Sequence, residues 1–346
     1  MPRSLLRGAS RNELKGFGPT LTSEKLKEFE GIIISKETLR QEMIKESLWE
    51  TKKRKPKYRS QRPRKLHFGE MTQLDGSPHD WFEGRGPKCT LLVFIDDATS
   101  ALLWLEFATS ESTEAAFSAA KAYIEKYGRP ISLYVDYGSV WSVNTNNQDR
   151  EKITQFERAM QELSVTVIHA RSPQAKGRVE RANKTLQDRL VKEMRLAGIS
   201  TIEAANAFVQ NFYIPKHNAK FAIEALCKEN VHRSIEDFDM EKIFCMKEER
   251  LLQNDFTIRY KNRVFQLHKD QRTIIRPKNR IIVSENLTGV ITLSIRQTDL
   301  NFNEITDLKK LLVSEKQTLK YWQLPLTDFL RINKINKTTN SKGVTM

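Results

Sequence analysis

Cysteine and long apolar runs are scarce in this sequence. Its 346 residues include 3 cysteines, Cys89, Cys227 and Cys245, and no two of them form a CxxC pair. We therefore expect neither a disulfide scaffold nor a cysteine-rich zinc site, and a reducing cytoplasm is the expected compartment. No stretch approaches the roughly 20 consecutive apolar residues that cross a bilayer, and the opening MPRSLLRGAS lacks the apolar core of a secretory signal. These absences exclude membrane and secreted proteins as expected classes.

Two catalytic signatures are also missing. No GxxxxGK(S/T) loop occurs, so the sequence gives no support for an ATP-driven enzyme, and we expect no nucleotide cofactor. No GxSxG turn and no cysteine–histidine pairing point to acyl transfer. The chemistry therefore has to come from other side chains.

The distribution of charge indicates a polyanionic partner. Lys and Arg number 58 against 43 Asp and Glu, for a net charge of +15. The net charge is +10 over residues 1–67, −3 over 68–214 and +8 over 215–346. Basic flanks can neutralise phosphates, and an acidic middle between them suits a carboxylate-lined metal site that acts on nucleic acid. A solvated basic surface is the simpler alternative.

The first 67 residues combine two predicted helices with a basic linker. Helical patterns cover 20–31 and 36–49, and their short connection is typical of a helix-turn-helix, so 1–50 is predicted to be a DNA-binding segment. The linker, 51–67, has nine Lys and Arg among the fourteen residues of 52–65 and is expected to follow a phosphate backbone. The residues predicted to bind DNA here are Lys52, Lys53, Arg54, Lys55, Arg62 and Arg64.

Residues 68–214 show a different pattern, in which strands come first and then alternate with helices. A segment of alternating polar and apolar residues and two apolar runs come first, and two further strands are separated by helices. This order is typical of an α/β domain with a mixed sheet and helices on both faces. Predicted strands lie at 70–75, 90–97, 101–107, 131–136 and 165–169, and predicted helices at 111–127, 151–163 and from about 177.

The remaining residues are predicted to form three further segments. A helical connector is expected over 215–249. Residues 250–300 are rich in short strands, with a tight turn at Lys261–Asn262, and are expected to form a small antiparallel β-barrel. A Lys/Asn-rich tail follows over 301–346.

Three carboxylates occupy places that suit a metal site in such a core. Asp75 ends the first predicted strand, Asp136 ends the fourth, and Glu180 lies one turn into the helix that begins near Gly177. If the first and fourth strands are neighbours, the two aspartates lie side by side with Glu180 facing them. Hard divalent cations prefer several carboxylate oxygens, and two such ions can promote phosphoryl transfer. Each acid alone is more simply a turn or surface residue, whereas all three in this order favour a shared site.

Nearby polar residues receive a structural interpretation. Asp96 and Asp97 end the second predicted strand and are expected to close the turn at 98–100. His169 follows a buried strand and is expected to be a satisfied strand-end histidine rather than a catalyst.

Two longer stretches resemble a known family. QLDGSPHDWFEGRGPKCTLLVFIDDATS (73–100) and SPQAKGRVERANKTLQDRLVKEMRLAGIS (172–200) resemble the ISNCY-type transposases of bacterial insertion sequences. The resemblance covers residue 16 to about residue 300 and implies the RNase H-like core of integrases and DDE transposases. It further implies metal-dependent DNA cleavage and strand transfer, with Asp75, Asp136 and Glu180 as catalytic ligands of two Mg²⁺ or Mn²⁺ ions.

The same resemblance implies the partners. Double-stranded DNA of the element ends and of the target is the expected substrate, and a homo-oligomer is expected to assemble on paired ends. Lys176, Arg178 and Lys184 are expected to lie near this DNA. The head is shorter than is usual in the family, so an N-terminally shortened chain is expected.

Two other functions stay open. A DNA-binding remnant or co-opted transposase without catalysis is favoured by the short head and disfavoured by the three intact acids. An RNase H-like nuclease without strand transfer is disfavoured by the helix-turn-helix and the basic linker, because such a nuclease rarely needs a sequence reader.

Overall fold

The computed structural model describes residues 16–50, 62–142, 153–170 and 177–306. The chain divides after Phe244 into two compact units. None of the helices in the described ranges combines the length and the apolar character needed to cross a membrane. The predicted DNA-binding residues that lie outside these ranges are Lys52, Lys53, Arg54, Lys55 and Lys176.

A five-stranded mixed sheet forms the centre of the first unit. The described strands of this unit are β1 (His67–Phe68), β2 (Met71–His79), β3 (Cys89–Asp96), β4 (Leu102–Ala108), β5 (Ser132–Val135), β6 (Thr166–His169) and β7 (Cys227–Asn230). The order in the sheet is β4-β3-β2-β5-β6, while β1 and β7 form a separate parallel pair. Strand β3 runs antiparallel to both β2 and β4, whereas β5 runs parallel to β2, and β6 parallel to β5.

Helices cover both faces of this sheet. Val93 of β3 belongs to the same apolar core as Leu186 of the long helix α5. The ring of the next strand residue, Phe94, lies 5.2 Å from the ring of Tyr123 on α3. Because successive strand residues point to opposite faces, α5 and α3 lie on opposite faces, and the predicted mixed α/β architecture is confirmed. The helices are α1 (Pro19–Glu30), α2 (Lys36–Lys45), α3 (Thr113–Tyr127), α4 (Gln155–Glu162), α5 (Gly177–Leu196), α6 (Ile202–Phe208), α7 (Ile214–Phe221) and α8 (Met240–Ile243), with a π-helical turn (Val209–Tyr213) between α6 and α7.

Hydroxyl side chains determine where several of these helices begin. The Ser112 hydroxyl accepts a hydrogen bond from the Ala115 N–H at the start of α3. Thr154 and Glu157 form a reciprocal capping box at the start of α4. Such caps satisfy N–H groups that have no acceptor within the helix, so the local sequence fixes these boundaries.

Helices α1 and α2 form a hairpin at the start of the described chain. Gly31, with a φ of 67°, ends α1, and the Ser35 hydroxyl accepts a hydrogen bond from the Thr38 N–H at 3.1 Å to cap α2. Helix α2 ends at Lys45, earlier than predicted, because Ser47 adopts a left-handed φ of 57°. That this hairpin is a DNA-binding helix-turn-helix stays a prediction.

Ion pairs hold α1 against the core. Lys25 is 3% exposed, and its ammonium group donates to a carboxylate oxygen of Glu193 on α5 at 2.7 Å. Glu24 accepts from Arg189 of α5 at 2.7 Å and also binds Lys220 of α7. Burial acts to raise the pKa of the Glu24 carboxyl, but hydrogen bonds from these two cations hold that pKa below its usual value. The hairpin is therefore fixed to the first unit by charged contacts.

Side-chain amides cover the edge strand β4. Asn218 of α7 accepts a hydrogen bond from the Leu102 N–H and donates one to the Leu102 carbonyl, both at 2.8 Å. Asn206 of α6 makes the same pair of bonds with Phe107, at 2.7 and 3.0 Å. An uncovered edge strand is a template for pairing with other chains. The two asparagines occupy positions that a neighbouring strand would take.

The second unit contains two antiparallel sheets that share one apolar core. Its strands are β8 (Cys245–Leu251), β9 (Thr257–Tyr260), β10 (Arg263–Leu267), β11 (Arg280–Asn286), β12 (Ile291–Ile295), β13 (Thr298–Asp299) and β14 (Phe302–Glu304). One sheet has the order β13-β12-β11-β8 and the other β14-β10-β9. The described strands therefore form two hydrogen-bonded sheets around one core, and their closure into a small barrel stays a prediction.

The second unit differs from the sequence prediction at its boundaries. Strand β8 begins at Cys245, inside the predicted helical connector, and β14 extends the strands to Glu304. The polar segment CMKEERL does not resemble a strand by itself and becomes one because it pairs along its length with β11. The predicted turn is confirmed: Lys261 and Asn262 have φ values of 44° and 62° and join β9 to β10, as a primed hairpin turn requires.

We expect Asn218→Ala to lower the free energy of unfolding by about 1–3 kcal/mol, because the Leu102 N–H and carbonyl then lose their partners. Asn211→Ala is the matched control, since Asn211 is exposed on the adjacent π-helical turn, and we expect a change within about 0.5 kcal/mol. Urea denaturation followed by tryptophan fluorescence measures both. Equal losses in the two variants would contradict the covering role of Asn218.

Candidate active site

Asp75 and Asp136 lie at the same register on neighbouring parallel strands. The last residue pair between β2 and β5 is Gln73 with Tyr134, and each aspartate lies two residues beyond its member of this pair. A shared site requires the first predicted strand to lie between the second and the fourth, with the fourth parallel to the first, and this strand order is confirmed. Neighbouring strands are roughly 4.8 Å apart, so the two aspartates lie side by side along the sheet.

Asp75 lies within β2, not at its end as predicted. The antiparallel pairing of β2 with β3 continues to His79 and Cys89, whereas its parallel pairing with β5 stops at Gln73. Asp75 is therefore beyond the parallel pairing but still held by the antiparallel one. This leaves its carboxylate half-buried on a rigid strand.

Helix α5 contacts this strand through Asn183. The Asn183 amide donates a hydrogen bond to Oδ2 of Asp75 at 2.7 Å. Asn183 is 9% exposed, and its own Oδ1 is buried without a hydrogen-bond partner in the described part of the chain. Glu180 precedes it by three residues, which places both on neighbouring positions of one helix side. The contact therefore brings the second turn of α5 to Asp75.

Glu180 lies outside the apolar stripe of α5. It is half-buried, and Lys184, one turn later, is exposed. Neither side chain has a hydrogen-bonding partner among the residues that the structure describes. The buried apolar stripe that orients the helix consists of Val179, Leu186, Leu190, Val191 and Met194.

The backbone after β5 fixes Asp136. Its Oδ1 accepts a hydrogen bond from the Gly138 N–H at 2.8 Å. His169 Nδ1 lies 3.2 Å from the Asp136 carbonyl oxygen, and its Nε2 lies 2.8 Å from Glu157. Tyr137 stacks on the His169 ring at a centroid distance of 5.2 Å. The interpretation of His169 as a satisfied strand-end residue is confirmed, since both of its ring nitrogens have partners.

The donor set fits a hard divalent cation, although the three acids do not converge. In the described ranges, no group of three His, Cys, Asp or Glu side chains comes close enough together to hold a metal ion. Like charges repel, so carboxylates converge when a cation lies between them. All three candidate donors are carboxylates, which match Mg²⁺, and the unpartnered Asn183 Oδ1 beside Asp75 is an acceptor that a hydrated cation would satisfy. The metal-binding role of Asp75, Asp136 and Glu180 stays a prediction.

Asp96 and Asp97 have different partners, although the sequence predicts one role for both. Asp96 accepts a hydrogen bond from the Thr99 N–H at 2.8 Å and so closes the turn as predicted. Burial raises the pKa of its carboxyl above the usual value. Asp97 is fully buried, and its side chain binds Arg62 and Arg178. The prediction for Asp97 is wrong, because two guanidinium groups outside the turn bind its carboxylate.

Three of the predicted DNA-binding cations therefore have partners within the protein. Arg62 and Arg178 bind Asp97. Arg64 donates to the Ser100 hydroxyl at 2.8 Å and to a backbone carbonyl of the same turn at 3.1 Å. That these three arginines contact DNA stays a prediction. It requires each guanidinium group to bind a phosphate while it keeps its bonds within the protein.

Sequence reasoning missed three polar side chains at this site. No role is predicted from the sequence for Asn183 of α5 or for Gln73 of the first strand. Asp97 was interpreted only as a turn residue. A signal was present for the first two, because an amide side chain at a buried position needs a hydrogen-bond partner. The partners themselves lie far away in the sequence and follow only from the fold.

Comparison with known proteins gives two bacterial relatives. No protein-family model matches the chain. The putative transposase y4bF of Sinorhizobium fredii is 40% identical over 266 residues, which cover 76% of this chain and 58% of the relative. The transposase for insertion sequence IS1202 of Streptococcus pneumoniae is 31% identical over 252 residues, which cover 71% of this chain and 53% of the relative. The chain thus spans little more than half the length of these two relatives.

Solved structures give looser similarities. The catalytic core domain of HTLV-2 integrase in complex with magnesium is 18% identical to this chain, with a TM-score of 0.33. The match covers 43% of this chain and 88% of the integrase chain. A chain of the simian T-cell lymphotropic virus intasome in complex with the PP2A regulatory subunit B56 gamma is 14% identical to this chain, with a TM-score of 0.39. The match covers 80% of this chain and 94% of that viral chain. Both scores are too low to assign the fold.

The relationship to the two bacterial proteins rests on sequence. Their identities of 40% and 31% extend over most of this chain. They agree with the resemblance carried by the stretches 73–100 and 172–200, which predicts an insertion-sequence transposase. Over the part of the chain that these matches cover, the sequence is similar to bacterial transposases, one of them the transposase of an insertion sequence.

Proposed function

We propose that this protein cleaves and joins DNA at insertion-sequence ends, with an RNase H-like core of the DDE type. The observation that carries the proposal is the shared register of Asp75 and Asp136 on parallel strands. The Asn183–Asp75 hydrogen bond supports it, because it brings the helix that carries Glu180 to the same place. In this proposal three acids from separate parts of the chain act together at one end of the β2–β5 pair.

In this proposal Asp75, Asp136 and Glu180 hold Mg²⁺ or Mn²⁺, two ions per active site. When bound, these ions polarise the scissile phosphate and stabilise charge on the attacking and leaving oxygens of an in-line displacement. The chain's own groups fix the acids beforehand. Asn183 orients the Asp75 carboxylate, and the Gly138 N–H orients that of Asp136.

The basic flanks supply affinity for double-stranded DNA of the element ends and the target. The helical hairpin and the linker carry a net charge of +10 over residues 1–67, and such charge provides the sequence-independent part of binding. Lys184 is exposed one turn from Glu180, where its ammonium group would neutralise a phosphate near the cut. Lys176 and Arg178 would lie along the same DNA. We further propose that the chain works in the cytoplasm as a homo-oligomer on paired ends.

We expect Asp75→Asn, Asp136→Asn and Glu180→Gln each to abolish cleavage and joining while leaving DNA affinity within about threefold of wild type. Each change removes a charged metal ligand, whereas the affinity depends on the basic flanks. The assay follows Mg²⁺-dependent nicking and joining of a plasmid that carries the DNA flanking the gene, and fluorescence anisotropy follows binding.

The matched control for these variants is Asp188→Asn. Asp188 is an exposed acid on α5 that pairs with Lys192, and we expect this variant to cleave and join DNA normally. Near-normal strand transfer by any of the three acid variants would remove that acid from the site. A wild-type protein that binds DNA without cleaving it would support the DNA-binding remnant instead, and cleavage without joining would support a nuclease.

A second prediction concerns the salt dependence of DNA binding. Replacing the four basic residues of the 52–55 run with glutamine should flatten the slope of log affinity against log salt by about 0.9 for each phosphate that the linker no longer neutralises. Anisotropy titrations from low to physiological salt give this slope.

Four lysines of the C-terminal tail provide the control for this prediction. Replacing Lys309, Lys310, Lys334 and Lys337 with glutamine changes the net charge equally, so a general charge effect would alter both slopes alike. We expect the 52–55 variant to change the slope more. An unchanged slope in the 52–55 variant would show that the linker run makes no phosphate contacts.

A further inference from the structure

The carboxylate of Asp97 binds groups from three separate parts of the first unit. It is fully buried. Its Oδ1 accepts hydrogen bonds from the Gln73 amide at 2.6 Å, from Arg178 at 2.7 Å, and from Arg62. Its Oδ2 accepts from the Lys65 N–H at 2.9 Å. A strand, the first turn of α5 and the end of the linker therefore share one buried negative charge.

Two of these contacts fix the first turn of α5. Arg178 is the second residue of the helix and is held directly. The side-chain nitrogen of Gln73 donates a hydrogen bond to Asp97. Its side-chain oxygen accepts a hydrogen bond from the Val179 N–H at 3.1 Å. The first N–H groups of a helix have no acceptor within it, so Gln73 caps α5. Glu180 is the next residue along the chain.

The other contacts fix the end of the linker. Arg62 and the Lys65 N–H bind the Asp97 carboxylate, and the Arg62 carbonyl accepts a hydrogen bond from Arg178 at 2.9 Å. Arg64 donates to the Asp97 carbonyl at 3.3 Å. The linker and the helix that carries Glu180 are thus bound to the same residue and to each other.

Asp96 lies next to Asp97 and is an internal comparison. It is equally buried, but its carboxylate accepts from the Gly69 N–H and from Thr99. Neither of these two residues belongs to α5 or to the linker. If buried carboxylates in this region serve stability alone, the two aspartates should behave alike.

We propose that Asp97 is a positioning residue for Glu180, which holds the first turn of α5 through Arg178 and Gln73 and links it to the DNA-binding linker. This inference rests on the proposed function, because Glu180 needs a fixed position only as a metal ligand. Asp97 itself is fully buried. Residues that orient metal ligands typically affect metal affinity by roughly 10–100-fold when they are substituted.

The test uses Asp97→Asn in the full chain, without DNA, and two measurements. Hydrogen–deuterium exchange reports whether the first turn of α5 opens more often, and Mn²⁺ binding followed by electron paramagnetic resonance reports the metal affinity. We expect faster exchange over 178–183 and roughly 10-fold weaker Mn²⁺ binding. Asp96→Asn is the matched control and should change neither. Wild-type behaviour of Asp97→Asn, or equal changes in both variants, would overturn the proposal.

Gln73→Met provides the second variant, because it keeps the side-chain length but removes both hydrogen bonds. It should reproduce the faster exchange and the weaker Mn²⁺ binding, and it decides the question if Asp97→Asn fails to fold. Unchanged exchange and Mn²⁺ affinity in Gln73→Met would overturn the role of Asp97 in that case. Glu180→Gln separates this inference from the proposed function: if it leaves Mn²⁺ affinity unchanged, Glu180 is no ligand and the proposed function fails, whatever the Asp97 variants do.

Discussion

The parallel pairing of β2 with β5 is the constraint on which the rest of this molecule depends. The pairing fixes Gln73 opposite Tyr134, and that register alone places Asp75 beside Asp136. A shift of one residue would turn one of the two aspartates to the other face of the sheet. The antiparallel partner β3 then keeps Asp75 in an extended strand after β5 has ended, so one carboxylate is held rigidly and the other follows a strand end.

Helix α5 connects this site with the rest of the first unit. Its apolar stripe packs on the sheet, and its first two turns are bound to β2 through Gln73 and Asn183. Its later turns bind α1 through Arg189 and Glu193. The predicted DNA-binding hairpin and the candidate catalytic acid are therefore attached to one continuous helix.

The sequence predicts the succession of strands and helices in the core, because this succession depends on local patterns such as apolar runs and turn residues. Which strands are neighbours in the sheet enters the sequence argument only as a condition of a shared site. The sequence does not predict that Asp75 lies within its strand, since the extent of β2 is decided by pairing with β3. Contacts with distant residues also decide three other features that the sequence does not predict. These are the arginine partners of Asp97, the amides of Asn206 and Asn218 on β4, and the strand formed by CMKEERL. Each is a contact between residues far apart in the chain, so no local pattern contains it.

The central claim is that Asp75 and Asp136 share a cation with Glu180. Anomalous diffraction from crystals of the full chain soaked in Mn²⁺ tests it most directly, because the ion is located independently of activity. We predict Mn²⁺ density in contact with both aspartates, with the Glu180 side chain turned toward it. Mn²⁺ density found only elsewhere, or none beside Asp75 at saturating Mn²⁺, would contradict a shared metal site.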